Sequence, residues 1–282
     1  MSIGARGGDS GGMAAKSPML LFDRRALRHH RARAANLPDA PDFLVMEAAE
    51  TLADRLDDVR RRFPSALDLG CRDGVMTRAV KGRGGIEYLV SADPAPEFAA
   101  RAPRPALACE AEALPFAPAS FDLVLSNLVL HWTNDLPGAL IQLRQALKPD
   151  GLLLASLFGG DTLTELGSAL MEAEIEVEGG AGPRVSPFAD LRDLGGLLQR
   201  AGFQSPVVDG DRIEVTYPDL QALMRDLRAM GESNALIERR RGLTRRETLA
   251  RAGEIYRLRF PAPGGRIRAS FQVISLTAWA PA

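Results

Sequence analysis

Histidine is scarce in this chain of 282 residues: it occurs three times, as His29, His30 and His131. Metal chemistry built on imidazole therefore has few ways to be assembled, and no metal site is expected. Only two cysteines are present, Cys71 and Cys109. They form neither a disulfide framework nor a four-cysteine zinc site, and they suit a reducing compartment. Long apolar runs are also missing. The longest, around Leu152 to Phe158, falls far short of the roughly 20 residues that cross a bilayer, which excludes an integral membrane protein and leaves only peripheral association. Neither charge sign is in excess, with 35 Lys and Arg against 36 Asp and Glu, so nothing global favours nucleic acid. Aromatic residues are 6% and the two tryptophans, Trp132 and Trp279, lie far apart in sequence, which argues against a base-stacking platform.

What remains is ordinary globular composition, 46% hydrophobic and 25% charged, enough for one or two domains. Residues 1–20 are rich in Gly and Ser, lack the apolar core of a secretory signal and are expected to be a disordered tail. Arg6 and Lys16 in a stretch poor in acid leave a mitochondrial transit peptide open on charge, but no amphipathic arginine helix is visible. A bacterial cytoplasmic protein fits better, with the mitochondrial matrix as the eukaryotic counterpart.

From Asp42 to Phe63 the apolar residues recur at steps of three and four, which predicts a helix closed by Pro64. Beyond it, Ala66 to Leu69, Glu87 to Ala92, Ala106 to Cys109, Phe121 to Asn127 and Leu152 to Phe158 read as buried strands. Val75 to Val80, Pro96 to Arg101 and Leu136 to Leu147 read as helices, and Lys148 to Gly151 as a turn. Strand and helix in alternation imply right-handed crossovers and hence a doubly wound α/β fold, its sheet mostly parallel. Helices are expected over Thr162 to Val177, Phe188 to Ala201, Leu220 to Met230 and Thr244 to Leu258. Strands are expected over Val207 to Val215 and Phe271 to Trp279. The helices over about 160–187 and 218–260 are expected to cover the carboxyl ends of the strands, where an open α/β sheet binds its ligand.

The informative segment is Leu67 to Gly74, a strand running into a glycine-containing turn that opens a helix. Glycine lets the backbone pass close to a ligand, and a helix N-terminus offers free N–H groups to an anion. The dinucleotide fingerprint is absent, since Arg72 and Val75 stand at two of its glycine positions. Three acids follow strand ends in order: Asp68, Asp93 and Glu110. A carboxylate after the second strand suits a vicinal diol, and one after the third suits an adenine amino group, so the set describes a nucleoside pocket extended by an amino acid.

The segments DLGCRDG, SADP, EAEALPF (110–116), FDLVLSNLVLHW (121–132) and LKPDG (147–151) resemble, in order and spacing, the class I S-adenosylmethionine-dependent methyltransferases. That resemblance implies a Rossmann-like, seven-stranded sheet and S-adenosyl-L-methionine as cofactor. It places Asp68, Gly70, Cys71 and Gly74 at the methionine end, Asp93 at the ribose, Glu110 and Ala111 near adenine, and Asn127 on the rim. A narrower similarity, carried by LFDRRALRHHRARAA, LHWTNDLPGAL, LFGGDTLTEL, RVSPFADLRDLGGLLQRAGF and YPDLQALMRDLRAMGESNAL, is to the methyltransferase-like assembly factors of respiratory complex I and their bacterial relatives. It covers residues 21–279 and makes 21–282 one domain. The methyltransferases acting on malonyl-acyl-carrier protein in biotin synthesis are more distant look-alikes. The resemblance implies a protein substrate, a subunit of complex I, and two competing activities: methylation, or hydroxylation of an arginine on an iron–sulfur subunit. A non-catalytic assembly chaperone is the third reading, because Arg72 replaces the family's usual glycine. There it either crowds the methionine carboxylate or pairs with it.

Each candidate has a plainer alternative. Asp68 could merely cap the turn, Cys71 and Cys109 read as small fillers with no base beside them, and Asp161 reads first as a helix N-cap. Asn127 and His131 follow the fourth strand, where substrate-facing groups belong, although His131 beside Trp132 is equally a satisfied core histidine. Those two and Asp161 are the only candidates for catalysis. The basic runs Arg24 to Arg33 and Arg239 to Arg246 read as solvated helix faces or as docking sites for an acidic partner.

Overall fold

A computed structural model describes residues 20–37 and 42–282 of the chain. The expected tail over 1–20 therefore falls, apart from Leu20, outside the described residues.

The described residues begin with two helices, α1 (Arg24–Ala35) and α2 (Phe43–Asp57). It then alternates β1 (Ser65–Leu69), α3 (Val75–Ala79), β2 (Tyr88–Asp93), α4 (Pro96–Ala99), β3 (Ala106–Ala108), β4 (Phe121–Asn127), α5 (Leu136–Ala146) and β5 (Leu147–Phe158). After β5 come α6 (Thr164–Glu178), α7 (Leu191–Arg200), β6 (Gln204–Tyr217), α8 (Leu220–Met230), α9 (Arg246–Arg259), the two-residue β7 (Pro261–Ala262) and β8 (Arg266–Trp279). The sheet runs β3-β2-β1-β4-β5-β8-β6, with β7 paired to β8 off that path. The first five strands in that order are parallel, and β8 is antiparallel to both β5 and β6. The parallel part is expected of strands joined by helical crossovers. β6 and β8, joined through α8 and α9, bring a long antiparallel ladder to one edge, with a register shift between Gln204 and Val207.

Two apolar cores lie on the two faces of the sheet. α2 fills one of them with Leu44, Val45, Ala48, Ala49, Leu52, Ala53 and Leu56, the stripe its period demands, and each fully buried leucine contributes about 1.5–3 kcal/mol. The helix ends at Asp57 rather than at Phe63. Pro64 excludes the helical conformation from the residue before it, and the Phe63 N–H goes instead to the Gly84 carbonyl at 2.8 Å. The expected turn at Lys148 to Gly151 survives as an irregularity at the start of β5, with Asp150 in the left-handed region (φ 56°). Among the described residues no helix is long and apolar enough to cross a membrane.

The unforeseen feature is the packing of α1. Asp23 caps it through the N–H groups of Arg25 and Ala26, and its buried positions are Leu27, Arg31, Ala34 and Ala35. Phe22 and Leu27 join Trp132, Ala235 and Leu236 in a small apolar cluster, while Ala34 and Ala35 pack on Ala95 and Phe98. α1 thus lies across the carboxyl side of β2, above the acids that end the strands.

Candidate functional site

The turn after β1 is built from left-handed residues: Gly70 at φ 82°, Arg72 at 50° and Gly74 at 89°. A Cβ on Gly70 would stand 2.6 Å from Val129 Cγ1, and one on Gly74 would stand 2.5 Å from Pro103 Cδ. Gly70→Ala therefore suffers both backbone strain and a clash, and is expected to lower the unfolding free energy by about 1–3 kcal/mol. A urea midpoint shift at unchanged slope would check this. Gly70 and Cys71 both donate their N–H groups to the Ala92 carbonyl, at 2.8 and 3.0 Å, which stitches the turn to the end of β2.

Asp68 is completely buried at the carboxyl end of β1, register-paired with Ser91 of β2. Its Oδ2 accepts from the Thr77 hydroxyl at 3.4 Å and its Oδ1 has no hydrogen-bond partner. Burial, with Asp93 beside it adding repulsion, pushes the Asp68 carboxyl up to about 8. Its charge is therefore largely suppressed at neutral pH.

Asp93 closes β2 and is equally buried. Arg31 reaches it from α1 with two prongs, Nε to Oδ1 at 3.1 Å and Nη2 to Oδ2 at 2.6 Å. The backbone N–H groups of Arg72 (3.0 Å) and Ala95 (2.8 Å) complete the set. Glu110, two residues past β3, is half-buried. Arg28 Nε lies 3.5 Å from its Oε1 and Arg24 Nη2 lies 3.4 Å from its Oε2, which makes no hydrogen bond. Arg24 also pairs with Glu112. Ala111 is buried against the second core.

Arg72 does not project over the turn. Its guanidinium donates to the Met230 carbonyl at 2.8 Å and stacks on the Phe98 ring at 4.7 Å, buried at 6% exposure. Burial and the neighbouring Arg31 lower its basicity. The guanidinium that enters the space beside Asp93 is instead that of Arg31. Burial and the adjacent acids push the Cys71 thiol upward, and burial pushes Cys109 up to about 12; both are thiols at neutral pH, as expected of fillers.

The residues expected at the substrate rim need correction. Asn127 faces inward, its amide donating to the Val45 carbonyl (2.8 Å) and its oxygen accepting from Ser156 Oγ (2.7 Å), so both polar ends are spent on anchoring α2 to the sheet. Asp161 is exposed and caps nothing, since α6 starts after Leu163 without a side-chain cap; its N–H donates to Gln272 Oε1 at 3.1 Å. His131 is enclosed by the rings of Trp132, Phe158 and Phe188. The Phe158 N–H points at Nδ1 from 3.5 Å, which assigns the proton to Nε2, and Nε2 lies 3.1 Å from Glu232 Oε2. Trp132 Nε1 donates to the same oxygen at 3.0 Å.

Glu232 was not singled out by the sequence, and it joins two regions. It influences Arg31 and Arg72 on the cleft side, and it helps to line a cavity of about 220 Å³ walled by Trp132, Phe158, Leu166, Phe188, Met224 and Phe271. Arg228, Ser233 and Asn234 complete its polar part. Part of each basic run is paired within the chain, while Arg25, Arg28, Arg240, Arg241, Arg245 and Arg246 stay exposed. Besides the contacts of α1 with Asp93, Glu110 and Glu112, Arg239 pairs with Asp23 and Arg240 with Glu178. Among the described residues no three His, Cys, Asp or Glu side chains gather as a metal-ligand group.

Parallel strands in the order 3-2-1-4-5, an antiparallel β8 between β5 and β6, a glycine turn after β1 and acids at successive strand ends make up a Rossmann-like α/β fold of the methyltransferase type. A family model described as a methyltransferase domain matches residues 67–155. The chain is 41% identical over 281 residues to arginine-hydroxylase NDUFAF5, mitochondrial, of Mus musculus, covering 98% of this chain and 82% of that protein. It is 39% identical over 270 residues to malonyl-[acyl-carrier protein] O-methyltransferase of Xylella fastidiosa, covering 93% and 89%. A putative methyltransferase from Bacillus halodurans shares the fold at a TM-score of 0.56 and 14% identity, over 83% of this chain and 99% of that one. The chain belongs to the class I S-adenosylmethionine-dependent methyltransferase family, as an enzyme similar to the complex I assembly factor NDUFAF5 and to the bacterial malonyl-carrier methyltransferases.

Proposed function

We propose that this enzyme binds S-adenosyl-L-methionine at the ends of β1, β2 and β3 and modifies a protein during assembly of respiratory complex I, in the bacterial cytoplasm or its mitochondrial equivalent. The observation that carries the cofactor reading is the fully buried, unpartnered Oδ1 of Asp68. A buried polar oxygen without a partner is costly, and the ammonium of an amino-acid moiety would satisfy it. Glu110, with an oxygen that makes no hydrogen bond, fits an adenine amino group. The residues fit the cofactor at these two ends, while the ribose acid, Asp93, is held by the chain itself.

When bound, the cofactor supplies an electrophilic methyl on a sulfonium. In-line displacement of that methyl calls for positioning more than for proton transfer. Asp68 would hold the ammonium, the Gly70–Gly74 turn with Cys71 would carry the backbone past the methionine, and Ala111 would border the adenine. The cavity beside Glu232 would admit the acceptor side chain, with aromatic walls excluding water. His131 and Trp132, both donating to Glu232, would fix its carboxylate there. Relatives named as arginine hydroxylases support a second reading for that cavity, because a carboxylate on an apolar wall pairs well with a guanidinium.

Intact-mass analysis of the complex I subunits from a deletion strain tests the proposal. Methylation predicts an iron–sulfur subunit lighter by one methylene than in wild type. Loss of one oxygen would instead establish hydroxylation, and unchanged masses with failed assembly would leave a chaperone.

A further inference from the structure

Arg24, Arg28 and Arg31 are spaced i, i+4 and i+7 and share one face of α1. That face bears on the acids assigned to the nucleoside: Arg24 and Arg28 on Glu110, and Arg31 on Asp93. Asp93 already receives four donors, two from Arg31 and one each from the Arg72 and Ala95 N–H groups. A carboxylate has about four acceptor sites, so none is open to a ribose diol in this arrangement.

We infer that α1 is an internal occupant of the cofactor cleft: the Arg31 guanidinium holds the ribose position in the ligand-free protein, and the nucleoside and α1 compete for Asp93 and Glu110. The inference rests on the cofactor reading above. The exchange replaces one net cation by another, the guanidinium by S-adenosylmethionine, apart from the proton that Asp68 gives up. The attachment of α1 is also uneven. Its N-terminal end is tied down by the Leu21 and Phe22 N–H groups on Asn134 Oδ1 (both 2.7 Å) and the Asp23 N–H on the Ala235 carbonyl (2.8 Å). Toward its C-terminal end the buried apolar side chains are Ala34 and Ala35, which bury little area, so polar contacts hold that end: the buried Arg31 on Asp93, with Arg33 on Ser233 Oγ (3.0 Å) and the His30 ring on the Ser233 carbonyl (3.2 Å) nearer the surface. Trading Arg31 for the nucleoside thus loosens the C-terminal half while Phe22 stays seated on Trp132 (5.2 Å between ring centres).

Calorimetric titration of S-adenosylmethionine into the full chain and its Arg31→Gln variant, with amide hydrogen exchange followed over residues 24–35, tests the inference. Arg31→Gln is expected to bind at least about tenfold tighter than wild type, and the wild-type helix to exchange faster when saturated. Arg31→Lys, which keeps the charge but only one prong, should fall between the two and serves if the glutamine variant does not fold. Equal or weaker binding by the folded variants, or a helix better protected with ligand, overturns the competition while leaving the cofactor site intact. Absence of binding in both wild type and variants overturns the cofactor reading and the inference together.

Discussion

Asp68→Asn is expected to make the ligand-free protein more stable and to weaken S-adenosylmethionine binding by about a hundredfold. In the folded chain the buried carboxyl keeps its proton to about pH 8, against an ordinary value of 3.8. Between those values unfolding releases a proton, so this group makes stability fall as pH rises from about 4 to about 8. Asparagine has no such proton to lose. Its gain, on the order of 1–3 kcal/mol, should therefore be larger in urea unfolding at pH 8 than at pH 5. Ligand binding should behave in the opposite sense. An ammonium pairs with an ionised carboxylate, so the wild-type chain is expected to release about one proton on binding at neutral pH. Titrations in buffers of differing ionisation enthalpy would detect it, and Asp68→Asn should release none. Unchanged affinity in the variant would remove Asp68 from the site.

Asp93→Ala is expected to destabilise the fold by about 3–5 kcal/mol, the usual consequence of removing one partner from a buried ion pair. Arg31 is 1% exposed and would keep its charge with no carboxylate beside it, and the Arg72 and Ala95 N–H groups would lose their acceptor. This exceeds the loss expected for a single ribose contact, and it appears without any ligand. The double variant Arg31→Met, Asp93→Ala should recover a large part of the loss, since the stranded charge is then gone. Urea unfolding of the two singles and the double completes the cycle. A loss under about 1 kcal/mol in Asp93→Ala, or no recovery in the double, would mean that the pair contributes little.

The alternation of strands and helices from β1 to β5 was legible because each element announces itself locally, by an apolar run or a 3.6-residue period, and parallel order follows from the crossovers. The turn at Gly70 was legible for the same reason. The acids Asp68, Asp93 and Glu110 were legible as strand-end positions, since strand ends fix where a residue stands. They do not fix what else reaches it. α1 carries few apolar residues, and its arginines read as a solvated face; their partners lie some 60 to 90 positions further on, beyond any local pattern. Asn127 and His131 were placed at the right end of β4, but only the packing of α2 and the rings of Phe158 and Phe188 decide that both turn inward. Glu232 follows the left-handed cap Gly231, with no spacing that marks it, and acquires significance through His131 and Trp132, which lie a hundred residues earlier.

The central claim is that the cleft above β1, β2 and β3 takes an adenosine bearing an amino acid. Calorimetric titration with S-adenosylmethionine tests it most directly. The account predicts one site per chain, proton release on binding, and binding about a hundredfold weaker and without proton release in Asp68→Asn. A flat titration at millimolar ligand with correctly folded wild-type protein would contradict it.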